Sequence, residues 1–298
     1  MSIAMYAMKR CQLFEDIATK VWNRIIRKHN FGRDELEENV TDDIITDILE
    51  YNSLDPKNFD VYAKDGKLEK DFGSDLDLYI EVRPGYYRWF ALQAKILKAD
   101  NTYHGLNHTS SKSNFKQWVK LRRLERFSRG GCKSYYLLYN GKSTYNRRII
   151  STCKPDVVTN SDQYGCSLVE VEVIKHFASL RQKGIRRKWI IKNPTFEDFH
   201  PQFARPWREL VCCYLENDPN EATLYSYNDV IKSCNNYSYL EGKEIIFKRD
   251  TAGGDTDNKN TENSESEDNE IIVISREAKW EPKYKIIVHT TSNLEENK

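Results

Sequence analysis

Apolar and polar positions recur along this chain with two different periods, and the change of period marks its elements. Between residues 10 and 30, Leu13, Ile17, Val21, Ile25 and Ile26 recur near helical spacing, and between 33 and 51, Leu36, Val40, Ile44 and Ile48 form a second stripe at i, i+4. From Asp75 the period drops to two. Asp75, Asp77, Tyr79 and Glu81 fall on one face and Leu76, Leu78, Ile80 and Val82 on the other, which predicts a half-buried strand. Arg83, Pro84 and Gly85 follow with turn chemistry, since proline presets one dihedral and glycine tolerates positive φ. A second strand then runs over 88–98, with Ala91, Gln93, Lys95 and Leu97 sharing a face. Paired as a hairpin, the two strands bring Asp75, Gln93 and Lys95 together at one end of one sheet face.

Farther along, 99–113 is polar and loop-like. Residues 114–128 read as a helix with Phe115, Trp118, Val119, Leu121 and Leu124 apolar and Lys116, Lys120, Arg122, Arg123 and Arg126 as a basic flank. SYYLLYN at 134–140 is a buried strand by composition, 167–180 a strand or a helix, and 200–215 a helix with Pro206 in its first turn and Trp207 as a core anchor. Short strands are expected at 241–249, 270–277 and 284–291. The order helix, helix, strand, strand, helix, strand predicts a mixed α/β core rather than a pure Rossmann alternation.

Composition changes this picture in three places. The 298 residues are 39% hydrophobic with 18 Tyr and 12 Phe, enough for a sizeable core in one large domain or two. No apolar run approaches the roughly 20 residues that span a bilayer, and the first residues become charged too soon for a secretory signal, so a cytoplasmic protein without a membrane partner is expected. Seven cysteines at irregular spacing, with no Cys-x-x-Cys, predict reduced thiols rather than a disulfide framework or a zinc site. His104 and His108 stand four apart in HGLNH, but the Glu of a zinc-peptidase motif is absent.

A net charge of +1 conceals segregation. Residues 112–133 hold eight Lys or Arg against one Glu, and 181–188 form a second basic run. Against these, 250–270 hold eight acidic residues and one Lys with almost no apolar side chains, the composition of a disordered segment. If the basic surface binds nucleic acid, such a segment is expected to compete for it. Helix phase sets Glu37 inside the apolar stripe of 33–51, where a buried carboxylate needs a metal, a Lys or water as partner. Glu38 lies toward the rim of that stripe and is the alternative.

A helical Glu, then Asp75 at the head of a strand, then Gln93-x-Lys95 on the next strand, followed by a helix and a strand, resembles the PD-(D/E)xK phosphodiesterase superfamily with its restriction-endonuclease-like fold. The finer order of EENVTDD (37–43), GSDLDLYI (73–80), LQAK (92–95), Gln117-x-x-x-Leu121, YYLLYN (135–140), YGCS (164–167) and RPWRELVC (205–212) is similar to a bacterial branch of it with a Gln-x-Lys variant motif. The resemblance covers about 10–215. It implies an α/β core with a central four-stranded mixed sheet flanked by helices, in a nuclease domain over 1–217, with 218–298 as a C-terminal extension of short strands around the acidic segment. It further implies a Mg²⁺-dependent endonuclease, with Mn²⁺ as substitute, acting on DNA and serving in defence against phage. Asp75, Gln93 and Glu37 would hold the metal, and Lys95 would position water and stabilise charge. Gln93 stands where the superfamily has Glu, which removes one negative charge from that site. Lys112, Lys116, Gln117, Lys120 and Arg123 would contact nucleic acid. Asp77 is either a supporting residue or solvent-facing. An activating protein partner and a homodimer are compatible with this reading. The alternative is a catalytically inactive nucleic-acid-binding or sensor subunit of the same fold.

Overall fold

The computed structural model describes residues 3–54, 59–63, 74–106, 116–128, 131–150, 158–183, 189–212, 224–235, 246–247, 272–273 and 284–289. Its main sheet contains β1 (Phe59–Ala63), β2 (Leu76–Arg83), β3 (Tyr86–Ile96), β4 (Cys132–Tyr139), β5 (Cys166–Glu170), β6 (Arg205–Pro206), β7 (Tyr225–Ser226) and β8 (Tyr284–Val288). Seven of these run in the order β1-β8-β2-β3-β4-β5-β6, and β7 pairs onto β3 outside that path. The pairs β8/β2 and β3/β4 are parallel and the others antiparallel, so the sheet is mixed. Seven α-helices among the described residues accompany it: α1 (Ile3–Asn30), α2 (Glu37–Leu54), α3 (Gln117–Phe127), α4 (Val171–Ala178), α5 (Phe196–Phe199), α6 (Glu209–Cys212) and α7 (Tyr227–Asn235).

The hairpin forms as its alternation requires. Gly85 takes a φ of 74° in the turn, and Asp77 pairs with Ala91 and Leu76 with Leu92. Leu76, Leu78 and Ile80 then face the layer of α1, α2 and α6, packed among Phe14, Ile17, Ile25, Ile44, Ile48 and Leu210. Trp207 anchors this layer as expected, its ring 4.3 Å from that of Phe14 and its indole N–H donating to the Phe14 carbonyl at 2.8 Å.

The other face differs from the expectation of a half-buried strand. Asp77, Tyr79 and Glu81 are all buried, because α3, α4, α5 and α7 supply a second layer through Trp118, Leu121, Leu124, Ile174, Phe199 and Val230. The sheet is therefore covered on both faces. Two further expectations change. Pro206 lies in β6, and the helix behind it is the single turn of α6, not a long helix from 200 to 215. The boundary at 217 does not divide the fold, since β8 is inserted between β1 and β2, one strand in from the edge of the sheet. Residues 250–270 lie outside the described residues.

Cys11 on α1 and Cys212 on α6 are joined by a disulfide, with Cα atoms 5.6 Å apart, which corrects the expectation of reduced thiols for this pair. Cys132, Cys166 and Cys234 are buried and outside any disulfide. No helix among the described residues is long and apolar enough to cross a membrane.

One glycine is required by close packing. A Cβ at Gly165 would stand 1.9 Å from the Ala18 carbonyl oxygen, where the turn before β5 crosses the backbone of α1. Gly165→Ala is expected to cost about 1–3 kcal/mol as the two backbones separate. A fall in the thermal midpoint checks this, and an unchanged midpoint would show that α1 can yield there.

Candidate functional site

The register of the hairpin, continued by one residue, sets Asp75 against Gln93. The Asp75 N–H donates to the Leu92 carbonyl at 2.8 Å, and its carboxylate accepts the Ala94 N–H at 2.8 Å and a short bond from Gln93 Nε2. Asp75 is thus held rigidly at the head of β2 by the strand beside it. Lys95, two residues further on the same face, is buried and places its ammonium 3.0 Å from the Glu37 carboxylate. The structure brings Asp75, Gln93, Lys95 and Glu37 into one cluster. Glu38 is exposed, so the helical acid of this cluster is Glu37.

Several contacts fix Glu37. Thr41, one turn later, donates to the Glu37 carbonyl at 3.0 Å and shares a 2.9 Å hydrogen bond with the Tyr139 hydroxyl of β4. Tyr284 of β8 donates to Asp42, so the strand nearest the C-terminus also steadies the start of α2. Glu35, just before the helix, is buried and accepts from Arg24 Nε at 2.8 Å and from the Leu36 N–H at 3.1 Å. Burial pushes the Glu35 carboxyl up, but those bonds, one from Asn39 and the Arg24 charge outweigh it and bring it down to about 2.

Tyr136 was not singled out by the sequence. It is the partner of Gln93 in the β3/β4 register, which puts both side chains on one face. It is buried, and its hydroxyl finds no hydrogen-bond partner among the described residues. Burial drives the phenol well above its ordinary value, and the Asp75 and Glu37 carboxylates add to that push. Gln93 Oε1 and Gln117 Oε1 are likewise buried without a partner among the described residues. The only sequence signal for Tyr136 would have been alternation within YYLLYN, which does not say which tyrosine faces the site.

The basic helix is less open than its composition suggests. Lys112 lies outside the described residues. Lys116 and Gln117 are half-buried at the start of α3, with the Lys116 ammonium 5.4 Å from the centre of the Trp118 ring. Arg123 is half-buried, whereas Lys120 is only 5% exposed and does not offer an open phosphate contact. His104 is exposed and 3.0 Å from Asp100, and His108 lies outside the described residues.

A magnesium ion takes oxygen ligands, keeps several waters and is held by one or two carboxylates. Gln93 Oε1, a buried acceptor without a partner and attached to the amide that binds Asp75, fits such an ion. Glu37 fits less directly, because Lys95 engages it. Among the described residues no group of three or more His, Cys, Asp and Glu is arranged to hold a metal.

A family model matches residues 10–289, from α1 to the residue after β8. The chain belongs to DUF6615, a family of unknown function. The DUF6615 match runs across position 217 and takes in β8, in agreement with the continuous sheet. The comparison with curated proteins finds no match.

Proposed function

We propose that this DUF6615 chain is a metal-dependent nuclease with a restriction-endonuclease-like core, hydrolysing phosphodiester bonds of DNA in the cytoplasm. The observation that carries this reading is the meeting of Asp75, Gln93, Lys95 and Glu37, from two strands and a helix, beside buried oxygens that lack partners among the described residues. A solvated acidic strand face would leave its polar atoms to water. Here they are enclosed, and a buried polar atom without a partner costs on the order of 1–3 kcal/mol, a cost that a ligand would remove.

Asp75 and Gln93 would hold Mg²⁺, with Mn²⁺ as substitute. When bound, the ion polarises a phosphoryl oxygen and lowers the pKa of a coordinated water. Lys95 supplies a positive charge where negative charge grows in the transition state, and Glu37 holds that ammonium in place. Ala94 fixes the Asp75 carboxylate through its N–H, so the ligand geometry is set before substrate arrives. Lys116, Gln117 and Arg123 give the neighbouring helix a contact surface for the nucleic-acid backbone.

A second reading, a binding or sensor module that keeps the fold, is favoured by the Glu37–Lys95 ion pair and the lack of a three-acid cluster among the described residues. One experiment separates the two. The full chain is incubated with Mg²⁺, Mn²⁺ or EDTA against plasmid, linear duplex, single-stranded DNA and RNA. Cleavage of DNA with either metal and none with EDTA is the expected result. No cleavage of any substrate, with binding that weakens steeply as salt rises, favours the sensor instead.

A further inference from the structure

The Tyr136 hydroxyl has no structural use among the described residues, and the site just described has a use for it. A phenol that is fully buried and unbonded is a liability to the fold, because phenylalanine would fill the same space without an unsatisfied polar atom. The neighbouring tyrosines make the contrast. Tyr139, three residues along and so on the opposite face of β4, bonds Thr41 at 2.9 Å, and Tyr79 bonds Ser233 at 2.8 Å. Tyr136 stands in register with Gln93, within the electrostatic reach of Asp75 and Glu37, and points its O–H where nothing in the described chain receives it.

Resting on the nuclease reading, we infer that Tyr136 is a catalytic residue that donates a hydrogen bond from its hydroxyl to a non-bridging oxygen of the scissile phosphate. The chemistry of the group supports donation rather than acceptance. Burial beside two carboxylates keeps the phenol protonated across the whole working range of pH, so it presents an O–H at all times. Its ring is buried against the strands, so the donor is positioned before the substrate binds. Non-bridging phosphoryl oxygens gain charge as the attacking oxygen closes on phosphorus, and a donor fixed in a water-poor site is worth most at that moment. The hydrogen bond transfers no proton. Tyr136 and Lys95 then divide the stabilisation, the one as a neutral donor and the other as a cation.

The test is Tyr136→Phe in the full chain, with the thermal midpoint, the Kd for uncleaved DNA in EDTA, and kcat and KM for metal-dependent cleavage all measured. The expected result is a thermal midpoint equal to or above that of the wild type, an unchanged Kd, and a fall in kcat of about 10- to 100-fold. A merely structural tyrosine would lower the midpoint and leave kcat intact in the folded fraction. Wild-type kcat in a stable Tyr136→Phe chain overturns the assignment and leaves the nuclease reading standing. A wild type that cleaves nothing with either metal overturns both, so the two failures are distinguishable.

Discussion

Lys95→Ala is expected to lower metal-dependent cleavage by about 10³-fold while leaving salt-sensitive DNA binding in place. Its ammonium is enclosed, 8% exposed, and held 3.0 Å from Glu37, so it acts from a fixed position in surroundings that screen it poorly. Removing one such electrostatic group costs far more at the transition state than in the bound ground state, which separates kcat from Kd. The fold should tolerate the change. Glu37 remains 28% exposed and can turn to water, and its first turn keeps the Thr41 and Tyr139 anchors. Rates from single-turnover cleavage, with thermal midpoints for both chains, decide the matter. A variant that retains more than about a tenth of the wild-type rate would place the reacting phosphate elsewhere, since Lys95 is the cation that this cluster holds among the described residues.

The hairpin was legible because two local signals agree. Alternation from Asp75 fixes which residues share a face, and a slip of one residue would send Leu76, Leu78 and Ile80 to the wrong side. The turn at Pro84 and Gly85 then sets the register, and with it the meeting of Asp75 and Gln93. Helix phase pointed to Glu37 but left Glu38 open, and the contact with Lys95 decides between them. What the sequence concealed was set by partners distant along the chain. Asp77 and Glu81 look solvated in a period-2 pattern, and only the layer built from α3, α4, α5 and α7 encloses them. β8 joins β2 from some two hundred residues away, and a five-residue apolar run carries no mark of where it will insert. Cys11 and Cys212 are 201 residues apart, beyond any spacing rule. Lys120 follows the basic flank in composition yet is buried in the packed helix.

Asp77→Asn is expected to remove a pH dependence of stability amounting to as much as about 4 kcal/mol between pH 4 and 8. Asp77 is wholly buried, and neither carboxylate oxygen has a hydrogen-bond partner among the described residues. Burial pushes its carboxyl up to about 7 from an ordinary 3.8, and Lys285 of β8 is the main group pulling it back. Trp89 and Ser74 lie close enough to soften the shift without meeting hydrogen-bond geometry. The other titratable neighbours, Tyr79 on β2 and Cys132 on β4, are themselves buried and driven upward, so they stay neutral. Below about pH 4 Asp77 is protonated in both folded and unfolded chains and contributes no difference. From pH 4 to 7 the unfolded chain ionises while the folded chain stays protonated, so stability falls as pH rises. Above 7 both forms are ionised and the penalty is constant. Asparagine has nearly the same shape and cannot ionise, so the variant gains on the wild type steadily across that window. Urea unfolding of both chains at several pH values reads the gain directly, and effects of other groups such as Glu35 cancel in the difference. Parallel stability profiles for the two chains would mean that Lys285 neutralises Asp77 completely, making the pair an internal ion pair that joins β8 to the strand carrying Asp75.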